Sequence, residues 1–206
     1  MPPIYLQIEE VAKSYGKKSV LSGASISVAG GSLVGIVGEN GCGKSTLLQV
    51  MVGAARPEQG RIARNGHIGY CPQEAALFEE LTVMENFQLF AAGLGKRADH
   101  DWRKPALEMM DRLSFRPYQH SLVRQLSGGT RQKLNLSIAL LNDPDVLLLD
   151  EPYAAFDWQT YLKFWELAAE LRRRGKSVLI VSHLLHDQNR FDQLYELRDG
   201  RLEKAA

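Results

Sequence analysis

Three stretches of the chain are almost wholly apolar and are bounded by polar turns: residues 33–37, 146–149 and 177–182. Continuous apolar runs of this length are typical of strands that are buried on both faces, as in the centre of a parallel sheet. Residues 4–11 and 20–28 alternate enough to indicate two further strands. This pattern predicts an α/β core.

Shorter strands are predicted at residues 61–63 and 67–70, and a closing pair at residues 195–197 and 201–202. Asp199-Gly200 lies between the members of the closing pair and predicts a hairpin turn.

The middle of the chain follows a helical period instead. Between residues 74 and 142, apolar residues recur at helical spacing and β-branched runs are few. Helices are predicted at residues 82–92, 102–113 and 127–141, with a loop at residues 93–101. We expect residues 74–142 to form a helical subdomain that is inserted into a single α/β domain, whose core consists of residues 1–73 and 143–206.

The turn after the first buried run matches a phosphate-binding loop. Gly38, Gly43, Lys44 and Ser45 fit the pattern G-x-x-x-x-G-K-[S/T] between a predicted strand and a predicted helix. Glycines let consecutive backbone N–H groups face one concavity, and the helix directs the positive end of its dipole to the same point. We expect Lys44 to reach the β- and γ-phosphates and the Ser45 hydroxyl to ligate Mg²⁺.

Two other interpretations of this turn are weaker. An ordinary glycine turn between a strand and a helix is the structural alternative. A dinucleotide-binding fingerprint that starts at Gly41 fails, because Thr46 stands where that motif requires glycine.

A pair of carboxylates follows the second buried run. Asp150 is expected to hold Mg²⁺ through its water shell, because this small hard cation prefers oxygen ligands and keeps some of its water. Glu151 could orient the attacking water or take its proton. Taken alone, Asp150-Glu151-Pro152 could also be a simple turn at the end of a strand.

Ser127, Gly128 and Gly129 form a second glycine-rich turn at the start of a predicted helix. Free N–H groups and a helix dipole would converge there too, so the turn is a second candidate anion site. Two anion sites in one chain suggest that two chains share a nucleotide.

With these motifs in this order, residues 4–202 resemble the nucleotide-binding subunit of an ATP-binding cassette transporter. The resemblance implies a P-loop NTPase (RecA-like) α/β core with an N-terminal antiparallel β subdomain and the inserted helical subdomain. It also implies that Tyr15 stacks on adenine, that Gln73 is the Q-loop glutamine, that Asp157 belongs to the D-loop and that His183 contacts the γ-phosphate.

The resemblance gives three sets of site residues, with ATP and Mg²⁺ as ligands. The catalytic set is Lys44, Glu151 and His183, and the metal set is Ser45, Gln73 and Asp150. The nucleotide-binding set is Tyr15, Gly38, Glu39, Asn40, Gly41, Cys42, Gly43, Lys44, Ser45, Thr46, Gln73, Ser127, Gly128 and Gly129.

The chain departs from the family pattern at two places. The signature turn ends in Thr130, where glutamine is usual, and the D-loop has Ala155 and Phe156, where serine and leucine are more typical. Because Ser127 and the glycines are present, we expect altered tuning and not loss of activity.

The resemblance further implies a head-to-tail homo- or heterodimer and a separate transmembrane permease. Ser127 and Gly129 of one subunit would cap the ATP of the other. Residues 75–90 are expected to line a groove for the permease, although their apolar residues could equally be subdomain core. Residues 77–86 are similar to exporter-type cassettes, which favours export of a drug or other small molecule. Branched-chain amino-acid importers carry a similar stretch, so import stays an alternative.

Charge and composition add a few constraints. The chain has 25 Lys and Arg against 24 Asp and Glu, so no bulk attraction to nucleic acid is expected. No apolar run approaches the length of a membrane span, and no signal peptide is evident. We therefore expect a cytoplasmic protein that is peripheral on the inner face of the cell membrane through a partner. Cys42 and Cys71 are expected to be free thiols.

Two other functions compete with transport. One is a cassette ATPase that acts as a mechanical switch, as in cell division. The other is a small-molecule kinase, which would not need the turn at residues 126–130 or His183.

Overall fold

The computed structural model describes residues 2–93, 101–183 and 188–205. The strands, in chain order, are β1 (Ile4–Tyr15), β2 (Lys18–Ala29), β3 (Leu33–Val37), β4 (Gln59–Arg64), β5 (Ile68–Cys71), β6 (Val146–Asp150), β7 (Ser177–Ser182), β8 (Gln193–Arg198) and β9 (Arg201–Lys204). The α-helices are α1 (Lys44–Val52), α2 (Val83–Gly93), α3 (Arg103–Arg112), α4 (Gly128–Leu140) and α5 (Trp158–Arg173).

The strands form two sheets. The smaller sheet is antiparallel, with the order β2-β1-β4, and the larger has the order β5-β6-β7-β3-β8-β9. In the larger sheet, β5, β6, β7, β3 and β8 run parallel, and β9 pairs antiparallel with β8. The three wholly apolar runs of the sequence are the neighbouring strands β6, β7 and β3, which confirms the predicted α/β core with an N-terminal antiparallel sheet.

Side chains of the central strands alternate between two apolar clusters. Val146 and Leu148 of β6 pack in a cluster with α1 and the antiparallel sheet, whereas Leu147 and Leu149 pack in a cluster with α2 to α5. This follows from the period of two along a strand, which sends successive side chains to opposite faces. The large sheet is therefore covered by an apolar cluster on each face.

The segment between β5 and β6 is helical in its described part, where it contains α2, α3 and α4. Of the loop predicted at residues 93–101, residues 94–100 lie outside the described residues. No helix among the described residues has both the length and the apolar character that are needed to cross a membrane.

The first strand is longer than its sequence pattern indicates. It was expected to end at residue 11, but β1 continues to Tyr15, which pairs with Lys18 of β2. The register shifts after Ile8, close to Glu10, whose φ is 49°. A bulge of this kind interrupts the alternation, and the period-two pattern is lost beyond it. Tyr15, which the family resemblance places against adenine, is the last residue of this strand.

Asn86 of α2 holds the loop that precedes this helix. The Asn86 side chain is fully buried; its Oδ1 accepts the N–H of Phe78 (2.9 Å), and its Nδ2 donates to the carbonyl oxygens of Phe78 (3.0 Å) and Thr82 (3.0 Å). Both the oxygen and the nitrogen of the side-chain amide make hydrogen bonds, so the orientation of the amide is fixed. This one side chain links the backbone of Phe78 to the start of α2.

We expect Asn86→Ala to destabilise the chain, because it removes the hydrogen bonds that this buried side chain makes to the backbone of Phe78 and Thr82. Each lost hydrogen bond costs about 0.5–1.5 kcal/mol. Urea unfolding measures the loss, and Gln88→Ala at an exposed position of the same helix is the control. Equal stability of the two variants would contradict the role given to Asn86.

Candidate functional site

The loop between β3 and α1 folds around the amine of Lys44. Its Nζ donates hydrogen bonds to the carbonyl oxygens of Gly38 (2.6 Å) and Glu39 (2.9 Å), and the residue is 7% exposed. Gly43 precedes α1 with a φ of 111° and has no side chain that could cap the helix. The first N–H groups of α1 are thus open to an anion, and the helix dipole adds to the lysine charge.

Two glycines of this loop have no room for a side chain. A Cβ on Gly38 would lie 2.7 Å from Sγ of Cys42 and 2.7 Å from the carbonyl oxygen of Leu197. A Cβ on Gly43 would lie 2.7 Å from Cγ1 of Val20. The close packing of the loop against β2 and β8 therefore requires glycine at these motif positions.

Asp150 ends β6 and is 3% exposed. Burial raises the pKa of its carboxyl, and the charge of the neighbouring Glu151 raises it further. A hydrogen bond with Ser45 and the charge of Lys44 lower this pKa and offset part of the shift. Among the described residues, no group of three His, Cys, Asp or Glu side chains could hold a metal ion. A hydroxyl and one carboxylate suit Mg²⁺, which completes its shell with phosphates and water.

Glu151 follows β6 in a left-handed backbone conformation, with a φ of 48°. Its N–H donates to the carbonyl oxygen of Val181 (3.0 Å), which fixes the turn against β7. Its carboxylate accepts hydrogen bonds from the Ser182 hydroxyl at Oε2 (2.8 Å) and from the His183 N–H at Oε1 (2.6 Å). Nδ1 of His183 lies 2.8 Å from the same Oε1. Backbone conformations of this kind cluster at functional sites.

These groups surround one cleft of about 440 Å³. It brings together most of the predicted site residues: Tyr15, Asn40, Gly41, Gly43, Lys44, Ser45, Thr46, Gln73, Asp150, Glu151 and His183. Tyr15 is 51% exposed, so a ring face is available for stacking against a base. The cleft thus joins an anion-binding loop, a carboxylate pair and an aromatic side chain.

Glu39 and Cys42 instead line a neighbouring cleft beside β8. Cys42 is half-buried and packs against the apolar cluster that includes α1. Gly38, Glu39 and Cys42 do not line the cleft that Lys44 and Asp150 share, and the nucleotide contacts predicted for them stay a prediction. Cys42 and Cys71 are free thiols, as expected.

The turn formed by Ser127, Gly128 and Gly129 does not line the first cleft, as far as the described chain extends. Ser127 caps α4, and its Oγ accepts the N–H of Thr130 (3.2 Å). A Cβ on Gly129 would lie 2.7 Å from the carbonyl oxygen of Ala155, so this turn packs against the segment after β6. Within one chain, the Lys44 loop and the Ser127 turn therefore do not line the same cleft.

Asp157 begins α5, where its Oδ1 accepts the N–H of Thr160 (2.8 Å). This hydrogen bond lowers the pKa of the Asp157 carboxyl. Lys133 of α4 lies 3.8 Å from the same carboxylate. The predicted D-loop residue therefore links α5 to the helix that starts at the Ser127 turn.

Sequence interpretation missed Ser182, which is 1% exposed and holds one oxygen of Glu151. The available signal was a polar residue at the end of an apolar strand, directly before His183. Strand ends in a parallel sheet are where ligand-binding residues collect.

Comparison with known proteins gives consistent results. The family model described as "ABC transporter" matches residues 21–154. Nod factor export ATP-binding protein I of Burkholderia lata is 35% identical over 98% of this chain and 70% of its own length. The lipopolysaccharide export system ATP-binding protein LptB of Haemophilus influenzae is 34% identical over 86% of this chain and 80% of its own length.

Solved structures agree with the fold. A dimeric ATP-binding cassette in a post-hydrolysis state, bound to ADP and Pi, is 27% identical with a TM-score of 0.88, and 96% of each chain is covered. An ATP-binding subunit of an ABC transporter reaches a TM-score of 0.90 at 25% identity, over 98% of this chain and 90% of that one. The chain therefore belongs to the ABC transporter family, as one of its ATP-binding cassette ATPases.

Proposed function

We propose that this chain is the ATP-hydrolysing subunit of an exporter-type transporter, and that it works as a dimer beside a separate transmembrane permease. One observation carries the proposal: Lys44, Asp150, Glu151 and His183 share a cleft that the Ser127 turn of the same chain does not line. A second chain that presented its own Ser127 turn would complete the site. The dimeric structure of a related cassette with ADP and Pi supports this arrangement.

The names of the relatives favour export over the alternatives. The two relatives named above are export ATP-binding proteins, one for Nod factor and one for lipopolysaccharide. We extend export to this chain, with a drug or other small molecule as cargo. Neither a cell-division switch nor a small-molecule kinase is favoured by these relatives.

The partners follow from the same proposal. The dimer consists of two copies of this chain or of this chain and a close relative. The permease would hold it at the inner, cytoplasmic face of the cell membrane. The balance of 25 Lys and Arg against 24 Asp and Glu gives no reason to add a nucleic acid.

ATP and Mg²⁺ fit the chemistry of the cleft. The open N–H groups at the start of α1 and the charge of Lys44 suit the phosphates, and the exposed ring of Tyr15 suits adenine. Ser45 and Asp150, with Gln73, would hold Mg²⁺. When bound, Mg²⁺ neutralises charge on the β- and γ-phosphates.

In this proposal Glu151 orients a water molecule and accepts its proton. An ionised carboxylate has about four lone-pair sites. The Ser182 hydroxyl and the His183 backbone N–H occupy two of them, and Nδ1 of His183 occupies a third in the tautomer that carries its hydrogen there, so at least one is left for water. With Nδ1 of His183 against Glu151, Nε2 is left for the γ-phosphate, to which it would donate only when the imidazole is protonated.

An apolar groove of about 500 Å³ is the proposed docking site for the permease. Phe78 (51% exposed) and Leu89 (42% exposed) line it, and the Phe78 ring lies 6.1 Å from that of Phe90. Val83 and Phe87 of the same segment are fully buried and belong to the core. The two interpretations of residues 75–90 therefore apply to different residues of the segment.

The helical segment connects this groove to the Ser127 turn. Arg131, in the first turns of α4, pairs with Glu79 (2.8 Å), beside Phe78, and also donates to the carbonyl oxygen of Arg124 (3.1 Å). We propose that residues 74–142 move as one subdomain, so that closure over ATP displaces the groove and the permease with it.

We expect Glu151→Gln to lower kcat for ATP hydrolysis by about 100-fold or more, because loss of a general base typically has that effect. ATP binding should persist, and an ATP-bound dimer should accumulate. Phosphate release and light scattering after size exclusion measure these two properties.

Lys44→Ala is the control, since it should weaken ATP binding itself. Rapid hydrolysis by the Glu151→Gln variant would show that the base is assigned wrongly. Full activity of a dilute monomer would contradict the shared site.

We expect Leu89→Glu to weaken attachment to membranes of the source cell by about tenfold or more, as the loss of a central interface side chain does. ATP hydrolysis by the free chain should not change. Co-sedimentation with membrane vesicles measures attachment. Leu162→Glu on α5 is the matched control, because Leu162 is 40% exposed and lies outside the groove. Equal losses for both variants would argue against this groove.

A further inference from the structure

The Ser127 hydroxyl has a second partner besides the N–H that it caps. Oγ1 of Thr130 lies 3.0 Å from Oγ of Ser127. We propose that the Thr130 hydroxyl fixes the direction of the Ser127 O–H bond, so that Ser127 donates to the terminal phosphate of the nucleotide held by the partner chain. This inference rests on the proposed function, in which the Ser127 turn completes the cleft of a second chain.

The valences of a hydroxyl group limit the arrangements. Oγ of Ser127 can donate once and accept twice. The N–H of Thr130 occupies one acceptor site at 3.2 Å. If the Thr130 hydroxyl donates as well, both acceptor sites are filled within the chain, and only the Ser127 hydrogen is left. If Ser127 donates to Thr130 instead, its hydrogen is used up.

A phosphate oxygen selects between these two arrangements. The terminal phosphate of ATP offers acceptors, so it binds only the arrangement in which Ser127 has a free hydrogen. Thr130 is 8% exposed, which limits competition from water for its hydroxyl. Among the described residues, Ser127 is the hydrogen-bond partner of that hydroxyl. The serine therefore meets the phosphate as an oriented donor, which saves reorganisation on closure.

Glutamine at this position would act differently. Ser127 is the N-cap of α4 and Thr130 is three residues on, so glutamine there could reach back to the backbone N–H of Ser127 as a capping box. Threonine is too short for that contact and meets the serine hydroxyl instead. The departure from the family pattern thus gives Thr130 a positioning role that acts through Ser127.

Thr130→Val tests the proposal, because it removes the side-chain hydroxyl and keeps the backbone N–H that donates to Oγ of Ser127. In the full chain with ATP and Mg²⁺, we expect kcat to fall about five- to tenfold, the size of a lost hydrogen bond between two neutral groups. Binding of a fluorescent ATP analogue to the monomer should not change. In the Glu151→Gln background, the same substitution should weaken the ATP-bound dimer about five- to tenfold.

Further variants separate positioning from structure. Thr130→Ser keeps the hydroxyl and should stay within about twofold of the parent. The double variant Ser127→Ala with Thr130→Val should be no slower than Ser127→Ala alone, because Thr130 acts through the serine. Ser137→Ala removes another α4 hydroxyl, which donates to the carbonyl oxygen of Lys133 (2.7 Å), and should leave kcat unchanged. Thr130→Ala replaces the valine variant if that one does not fold.

Each result has a distinct meaning. A loss in Thr130→Val that Thr130→Ser restores, and that disappears in the Ser127→Ala background, supports the inference. Normal activity and dimerisation of Thr130→Val beside an impaired Ser127→Ala would overturn it and leave the proposed function intact. The inference would also be overturned if Thr130→Ser lost as much kcat as Thr130→Val, or if the double variant had a lower kcat than Ser127→Ala alone. An unimpaired Ser127→Ala would instead remove the shared site, and the proposed function with it.

Discussion

The parallel pairing of β6 and β7, and of β7 and β3, is the constraint on which the site depends. In this register Asp150 lies beside Val181, and Ser182 lies beside Val37. Parallel strands end at the same edge of a sheet, so the phosphate-binding loop, the carboxylate pair and His183 converge although they are far apart in sequence. Hydrophobic burial of the strand interiors holds this edge in place.

The convergence has an energetic cost at the site itself. Asp150 and Glu151 are 3% and 8% exposed, and burial raises the pKa of the Asp150 carboxyl. The left-handed backbone of Glu151 adds strain of about 1–3 kcal/mol. Hydrogen bonds from Ser182 and His183, and the N–H of Glu151 on Val181, offset part of this cost. The hydrogen bond to Val181 of β7 thus keeps the turn at Glu151 in its left-handed conformation.

A second theme is the separation of the two anion-binding turns. The loop at Lys44 lies between a strand and α1, whereas the Ser127 turn starts a helix of the segment between β5 and β6. Since Gly129 packs against Ala155 and Lys133 lies near Asp157, the Ser127 turn is in contact with the segment that follows the carboxylate pair.

The sequence alone determined the element types and most of the residues that line the candidate cleft. Apolar runs identified β3, β6 and β7, and the spacing of Gly38, Gly43, Lys44 and Ser45 identified the loop, because both signals are local. The bulged end of β1 escaped prediction, since a register shift breaks the local period.

Only the tertiary structure decided which residues touch. It set the strand order β5-β6-β7-β3-β8-β9 and the hydrogen bond from Ser182 to Glu151. It also showed that, within the described chain, the Ser127 turn does not line the cleft. It also placed Phe78 and Leu89 in an apolar groove, and Val83 and Phe87 in the core, although all four lie in one short apolar segment. The physical reason is that contacts between distant segments depend on strand register and helix packing, which local patterns do not encode.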